Sequence, residues 1–142
     1  MRDSVDSRIK RMLDSEFVEK TTEVIEMSKV QLTEYFAGSR KVFDIPLLLV
    51  GTAFQKSVWN ALLEIPYSTT SSYLELSKSL KNTGAVRAVA SANGANSIAI
   101  IIPCHRVISS DGKLVGYAGG ISTKKKLLDL EGALNKNQLK LF

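Results

Sequence analysis

The chain has 142 residues, 44% of them hydrophobic, and a formal net charge of +5, which is enough apolar material for one main core with a small appended piece. One cysteine excludes an internal disulfide, and one cysteine plus one histidine exclude a four-ligand Cys/His zinc site, so no metal and no cofactor are expected. The apolar runs around Ile45 to Val50 and Ile98 to Ile102 are too short to span a bilayer, and the amino terminus lacks a signal-peptide core, so no membrane partner and no export are expected.

Residues 1 to about 20 are polar, with Ile9, Met12, Leu13 and Phe17 as the main apolar positions, and predict a short amphipathic helix or a ragged leader. From Thr21 to Phe36, residues Val24, Ile25, Met27, Leu32, Tyr35 and Phe36 fall mostly on one side of a helix that Gly38 stops. Arg40 to Val50, with Pro46 at its centre, predicts an extended connection. Thr52 and Gln55 have capping-box spacing, so a helix begins there, with Phe54, Val58, Ala61 and Leu62 inward and Trp59 at the border, and Pro66 ends it.

Ser72 and Glu75 repeat that spacing and predict a helix fading near Leu80. A turn through Lys81 to Gly84 leads to a helix from about Ala85 to Asn93, ended by Gly94, and the pair has the outline of a helix-turn-helix. The second helix lacks the Asn, Gln and repeated Arg that read the major groove. Its small residues around Arg87 suit close approach to a backbone or the minor groove, or tight packing against neighbouring elements. Residues 51–142 carry 11 Lys/Arg against 5 Asp/Glu, which is compatible with a polyanion partner and also with a simple solubility role.

The only cysteine and the only histidine are adjacent, in Ile102-Pro103-Cys104-His105-Arg106-Val107, behind an apolar run. A lone cysteine can be an inert small hydrophobe. It can also be a nucleophile, provided that neighbours help it to ionise, because a free thiol is only a few per cent thiolate near neutrality. Arg106 to Ile108 reads as an extended piece, Ser110-Asp111-Gly112 as a turn, and Leu114 to Gly120 as a glycine-containing loop open to a ligand. Ser122 or Thr123 is expected to cap a last helix running through Leu130 to Glu131 and Gly132, with a polar tail that frays after it.

Asn96, Pro103-Cys104-His105-Arg106-Val107, Gly116-Tyr117, Gly119-Gly120 and Leu130-Glu131-Gly132, in that order and spacing, resemble the O6-alkylguanine-DNA alkyltransferases of bacteria and archaea. The likeness extends upstream through Gly51 to Gln55, Val58-Trp59, Ile65-Pro66-Tyr67, Ser72-Tyr73 and Ala85 to Val89, and covers roughly residues 30–132. It implies a mainly α fold with a small β component: a winged-helix-like, helix-turn-helix domain that both binds DNA and catalyses. It divides the chain into a shortened amino-terminal segment and linking helix (1–50), with the family's β-rich amino-terminal domain reduced or missing, a catalytic and DNA-binding domain (51–132) and a polar tail (133–142).

The same resemblance implies a single-turnover repair protein that moves a methyl or other alkyl group from O6 of guanine, and less efficiently O4 of thymine, in double-stranded DNA onto Cys104 after the nucleotide is flipped out. His105 works through a water to deprotonate Cys104, and Glu131 orients the histidine. Tyr117 donates a proton or hydrogen bond to the departing base, and Asn96 ties the helix pair to the active loop. Tyr73 crowds a phosphate and Arg87 fills the vacated stack from the minor groove, with Ala85, Ala88, Ser91 and Gly94 also on the DNA. Val107, Tyr117, Ala118 and Gly119 wall the base site, while Arg106 ranks lower, with a structural or electrostatic role.

A monomer in the cytoplasm of a prokaryote, or the nucleus of a eukaryote, is implied. The departures are Ser68 where glycine is frequent, Ser97 where proline is frequent, Thr83-Gly84 in place of a proline turn, and Ala118 where some members carry serine. The alternatives are a non-catalytic, lesion-sensing alkyltransferase-like protein, a class that lacks the cysteine, and a cysteine hydrolase. For the hydrolase, neighbouring residues on an extended segment face opposite ways, which disfavours a direct thiol-imidazole contact.

Overall fold

The computed structural model describes residues 2–134, which divide into two compact units at Gly51/Thr52. In the first unit, α1 (Arg2–Leu13) is a polar helix that buries none of its residues. α2 (Glu23–Phe36) starts at Thr22, whose hydroxyl accepts from the Ile25 amide at 3.3 Å. It ends at Gly38, whose φ of +79° lets the chain reverse.

The buried face of α2 differs from the expected apolar stripe: Gln31 and Tyr35 are buried, while Val24, Ile25 and Phe36 are exposed. The chosen face is the one that the following segment covers. Gln31 bonds Asp44 through both its amide atoms, and Tyr35 meets the Phe43 ring at 5.5 Å. The bidentate polar clamp decides the orientation that hydrophobicity alone left loose. Among the described residues before Gly51 there is no strand.

In the second unit, α3 (Ala53–Leu63) opens with both halves of the Thr52/Gln55 capping box formed. Val58 and Leu62 are buried as expected, but Phe54 lies exposed and Trp59 is fully buried. The indole reaches across to α5 (Val86–Gly94), where Nε1 donates to the Ala92 carbonyl at 2.8 Å. A large ring with one polar atom is best placed where that atom finds a buried acceptor.

Ser68 follows at φ +65°, the left-handed region where glycine alone pays no steric cost. A glycine, which the resemblance implies at this place, would carry no such cost. β1 (Ser71–Ser72) runs directly into α4 (Tyr73–Ser79), which opens with the Ser72/Glu75 capping box. α4, the turn at Lys81 to Gly84 and α5 form the helix-turn-helix outline, and α3 packs against both helices.

After α5 the apolar run is a knot of tight turns rather than a strand. Ile100 sits at φ +73°, costly for a β-branched residue. Cys104–Arg106 form one turn of 3-10 helix, so the extended piece shrinks to β2 (Val107–Ile108), which pairs in parallel with β1 at Ser71↔Val107 and Ser72↔Ile108. This pairing brings the residues just after the cysteine beside the start of α4.

α6 (Ile121–Leu130) is entered from Gly120 at φ +92°, not capped by Ser122 or Thr123; a backbone conformation that favours glycine takes the place of a hydroxyl cap. Leu128 joins Ile108 and Leu114 in a core against which Ala133 and Leu134 pack. Of the expected polar tail 133–142, residues 135–142 lie outside the described residues. No helix among the described residues is long and apolar enough to cross a membrane.

Candidate active site

The 3-10 turn sets three consecutive side chains, Cys104, His105 and Arg106, pointing different ways, and all three are buried. His105 is wholly buried, and its Nε2 lies 2.7 Å from Glu131 Oε1 at the end of α6. Arg106 donates to the same carboxylate twice, from Nε to Oε2 at 3.0 Å and from Nη2 to Oε1 at 3.1 Å, and from Nη1 to the Ile65 carbonyl at 2.7 Å. Glu131 therefore joins the end of α6 to the turn through one desolvated carboxylate that serves both His105 and Arg106. Breaking such a buried pair is expensive, which raises Arg106 above the rank the sequence suggested.

The other ring nitrogen, His105 Nδ1, is buried and has no hydrogen-bond partner. With Nε2 turned to the carboxylate, Nδ1 is the nitrogen left for proton traffic.

Cys104 is 6% exposed, and burial pushes its thiol up from the usual value. Four groups oppose burial by favouring the thiolate: the Asn96 side chain, the Lys124 ammonium, and the backbone amides of Cys104 and His105. Asn96 also braces the turns before the cysteine, donating to the Ile102 carbonyl at 2.9 Å and accepting from the Ile98 amide at 3.0 Å. Tyr73 and Tyr117 are each about half-buried, and both phenols are pushed up, first by burial and then by the thiolate of Cys104; Tyr117 reaches about 12. Both hydroxyls therefore stay protonated, as donors, at neutral pH.

The Tyr73 hydroxyl stands 3.5 Å from the Val115 carbonyl. At Gly119 an added Cβ would come within 2.9 Å of the Tyr117 ring, so that glycine lets the ring lie where it does. Val107 is buried behind the turn, whereas Ala118 and Gly119 are exposed on the loop.

On α5 the residues split cleanly: Val89, Ala92 and Asn93 face inward, Arg87, Ala88 and Ser91 are exposed, and Ala85 and Gly94 are partly exposed. The small-residue surface around Arg87 is thus solvent-facing, with packing confined to the other side.

Lys124 was missed from the sequence. It is fully buried on α6, with Nζ donating to the carbonyls of Val107, Val115 (2.9 Å) and Gly116 (3.4 Å). Its signal was present, because Lys124, Leu127, Leu128 and Glu131 follow the i, i+3, i+4, i+7 spacing of one inward face. Burial lowers its ammonium to about 8 while the Cys104 thiolate pulls it up.

Lys124→Met is therefore expected to raise the Cys104 thiol further, through loss of a nearby positive charge. Alkylation by iodoacetamide at pH 7 slows in consequence, because less of the sulfur is thiolate. The difference should fade above about pH 8, where the wild-type amine is itself neutral. Superimposable pH profiles would reduce Lys124 to a clamp on three carbonyls.

Residues 53–133 match the family described as 6-O-methylguanine DNA methyltransferase, DNA binding domain. The methylated-DNA--protein-cysteine methyltransferase of Methanosarcina acetivorans is 58% identical over 103 residues, which are 72% of this chain and 66% of that protein. The chain therefore spans just under two thirds of that relative. Among solved structures, Mycobacterium tuberculosis OGT in complex with DNA aligns with a TM-score of 0.75 at 52% identity, over 83% of this chain and 72% of that one. Schizosaccharomyces pombe Atl1, in complex with damaged DNA containing O6-carboxymethylguanine, aligns at 0.51 and 31% identity over 56% of this chain and 75% of that one. The helical, helix-turn-helix architecture is that of these DNA-binding relatives.

Proposed function

Because the chain belongs to the 6-O-methylguanine DNA methyltransferase family, we propose that it repairs alkylated DNA by taking the alkyl group onto Cys104 in a single, irreversible turnover. The observation that carries this reading is the buried chain Glu131, His105, Cys104, anchored at 2.7 Å at its carboxylate end and carrying an unpartnered Nδ1 on the histidine.

In this reaction the Cys104 proton passes, through a water, to His105 Nδ1, and the imidazolium is stabilised by Glu131 through Nε2. Sγ attacks the alkyl carbon in line, an S–C bond forms and the C–O6 bond breaks. The electron pair stays on the guanine, which takes up a proton from the surrounding donors and water to become ordinary guanine. His105 releases the proton it took from Cys104, so the overall proton count balances. Tyr117, held protonated, is the hydrogen-bond donor to the departing base. Burial of Cys104 argues for a base delivered to it rather than reached in the duplex, and flipping costs a few kcal/mol.

Arg87, exposed among small residues on α5, is placed in this reading as the side chain that enters from the minor groove and fills the gap, with Ala85, Ala88, Ser91 and Gly94 against the backbone. Tyr73 crowds the adjoining phosphate, and Val107, Ala118 and Gly119 wall the base. Action as a monomer, and a weaker reaction at O4 of thymine, belong to the same proposal.

The likeness to Atl1 favours one second reading, a lesion-sensing protein that binds without transfer. Intact-protein mass spectrometry after one exposure to duplex DNA carrying O6-methylguanine separates the two. One added methyl per chain, mapped to Cys104, is the expected result. Tight lesion binding by folded protein with unchanged mass would leave the sensing reading in possession.

A further inference from the structure

Glu131 is a buried carboxyl group standing 2.7 Å from a wholly buried imidazole. Such a pair can share a proton in two ways: a carboxylate accepts from Nε2–H, or a protonated carboxyl donates to a bare Nε2. The choice fixes the far side of the ring, because a neutral imidazole carries one proton. The first arrangement leaves Nδ1 with its lone pair, and the second puts the proton on Nδ1. Only the first leaves Nδ1 able to take a proton from Cys104.

Burial by itself favours the second arrangement, since that removes charge from a dry site. Nδ1 has no hydrogen-bond partner, so nothing on its own side imposes either one, and the carboxyl end decides. There Arg106 donates to both oxygens, from Nε to Oε2 at 3.0 Å and from Nη2 to Oε1 at 3.1 Å, and Oε1 is the oxygen facing His105. A protonated carboxyl would give up the charge on which the strength of both bonds depends. The fork is in turn held by Nη1 on the Ile65 carbonyl at 2.7 Å and by the Tyr67 ring, whose centre lies 5.7 Å from the guanidinium carbon.

We infer that Arg106 is a positioning residue for the base: by holding Glu131 as a carboxylate, it confines the proton of the neutral His105 ring to Nε2 and keeps Nδ1 open as the acceptor. The inference rests on the alkyl-transfer reading and deepens it, since Arg106 acts through Glu131 rather than on the substrate or the sulfur. Its fork thus selects a tautomer as well as bracing the scaffold.

The chain has a single histidine, so nitrogen NMR of the imidazole reads this ring alone in tag-free protein. Wild type, Arg106→Met and Arg106→Lys are compared at a pH where the ring is neutral. Melting temperature is measured beside it, with single-turnover methyl transfer from O6-methylguanine duplex at a temperature where each protein is folded. The wild type is expected to carry its proton on Nε2. In Arg106→Met the proton moves to Nδ1 and transfer slows about a hundredfold, the low end of what a general base contributes. Arg106→Lys keeps a cation beside the carboxylate, so it retains the Nε2 proton and recovers most of the rate. It still melts below the wild type, because one ammonium cannot reproduce the fork.

A wild-type proton on Nδ1, an Nε2 proton retained in Arg106→Met, a proton moved in Arg106→Lys, or rates that follow melting temperature instead of the tautomer would each overturn the inference. If Arg106→Met does not fold, Arg106→Gln, uncharged but still a donor, takes its place. The tautomer is read without DNA, so a wild type that gains no methyl group defeats the parent reading and is distinguishable from a failure of the tautomer assignment.

Discussion

Cys104→Ala protein is expected to gain no mass from O6-methylguanine DNA, a loss of at least about a thousandfold in transfer, while still binding duplex with near-normal affinity. Cys104 is the only thiol of the sequence, so no neighbouring sulfur can substitute for it. The replacement removes one buried sulfur, a change of about 1 kcal/mol in stability if it behaves as a small core truncation. It also deletes a group that burial already disfavours in its ionised form. Binding and transfer therefore separate, because the exposed face of α5 does not depend on the sulfur. Equal loss of both in a gel-shift and a transfer assay would mean that the cysteine is structural and the proposed chemistry wrong.

Glu131→Gln is the second large effect, and it falls on stability and chemistry together. The carboxylate is buried and serves His105 at 2.7 Å and Arg106 at 3.0 and 3.1 Å. Neutralising it leaves the Arg106 guanidinium buried without its counter-charge, with one acceptor oxygen replaced by an amide group that cannot accept and with the amide oxygen and the Ile65 carbonyl as acceptors among these contacts. Removing one partner of a buried pair costs about 3–5 kcal/mol, which lowers the melting temperature by about 10 °C or more in a domain of this size.

Transfer should fall further than the unfolded fraction explains, even at temperatures where the variant is folded, because His105 loses the anchor that orients its ring and stabilises its protonated form. Thermal melts and single-turnover rates at low temperature check the two parts separately. A variant that melts lower yet transfers at the wild-type rate when folded would confine Glu131 to the scaffold.

The helix starts at Thr52 and Ser72 were legible in the sequence because a capping box is local: the bonds run between residues three apart, and both boxes form. The juxtaposed Cys104 and His105, and the order of motifs around them, likewise carried the family without any coordinates. Orientation was harder to read. Phe54 and Trp59 exchanged their expected places, and Gln31 took the buried face that Val24 and Ile25 were expected to share. In each case polar contacts distant in sequence, the Trp59 indole to the Ala92 carbonyl or the paired bonds between Gln31 and Asp44, settled which side of a weakly amphipathic helix turned inward.

The sequence by itself determined the inventory: one thiol, one imidazole, two capped helices with a small-residue partner, and the glycines that permit sharp turns. Only the tertiary structure decided which groups share an environment. It folded Cys104–Arg106 into a 3-10 turn, carried Glu131 from 25 residues away onto Arg106, and buried the Lys124 ammonium against three carbonyls beside the sulfur. Local bonds depend on neighbours along the chain and can be read from spacing, whereas desolvation and charge pairing depend on what lies within a few ångströms in space, which the order of residues does not state.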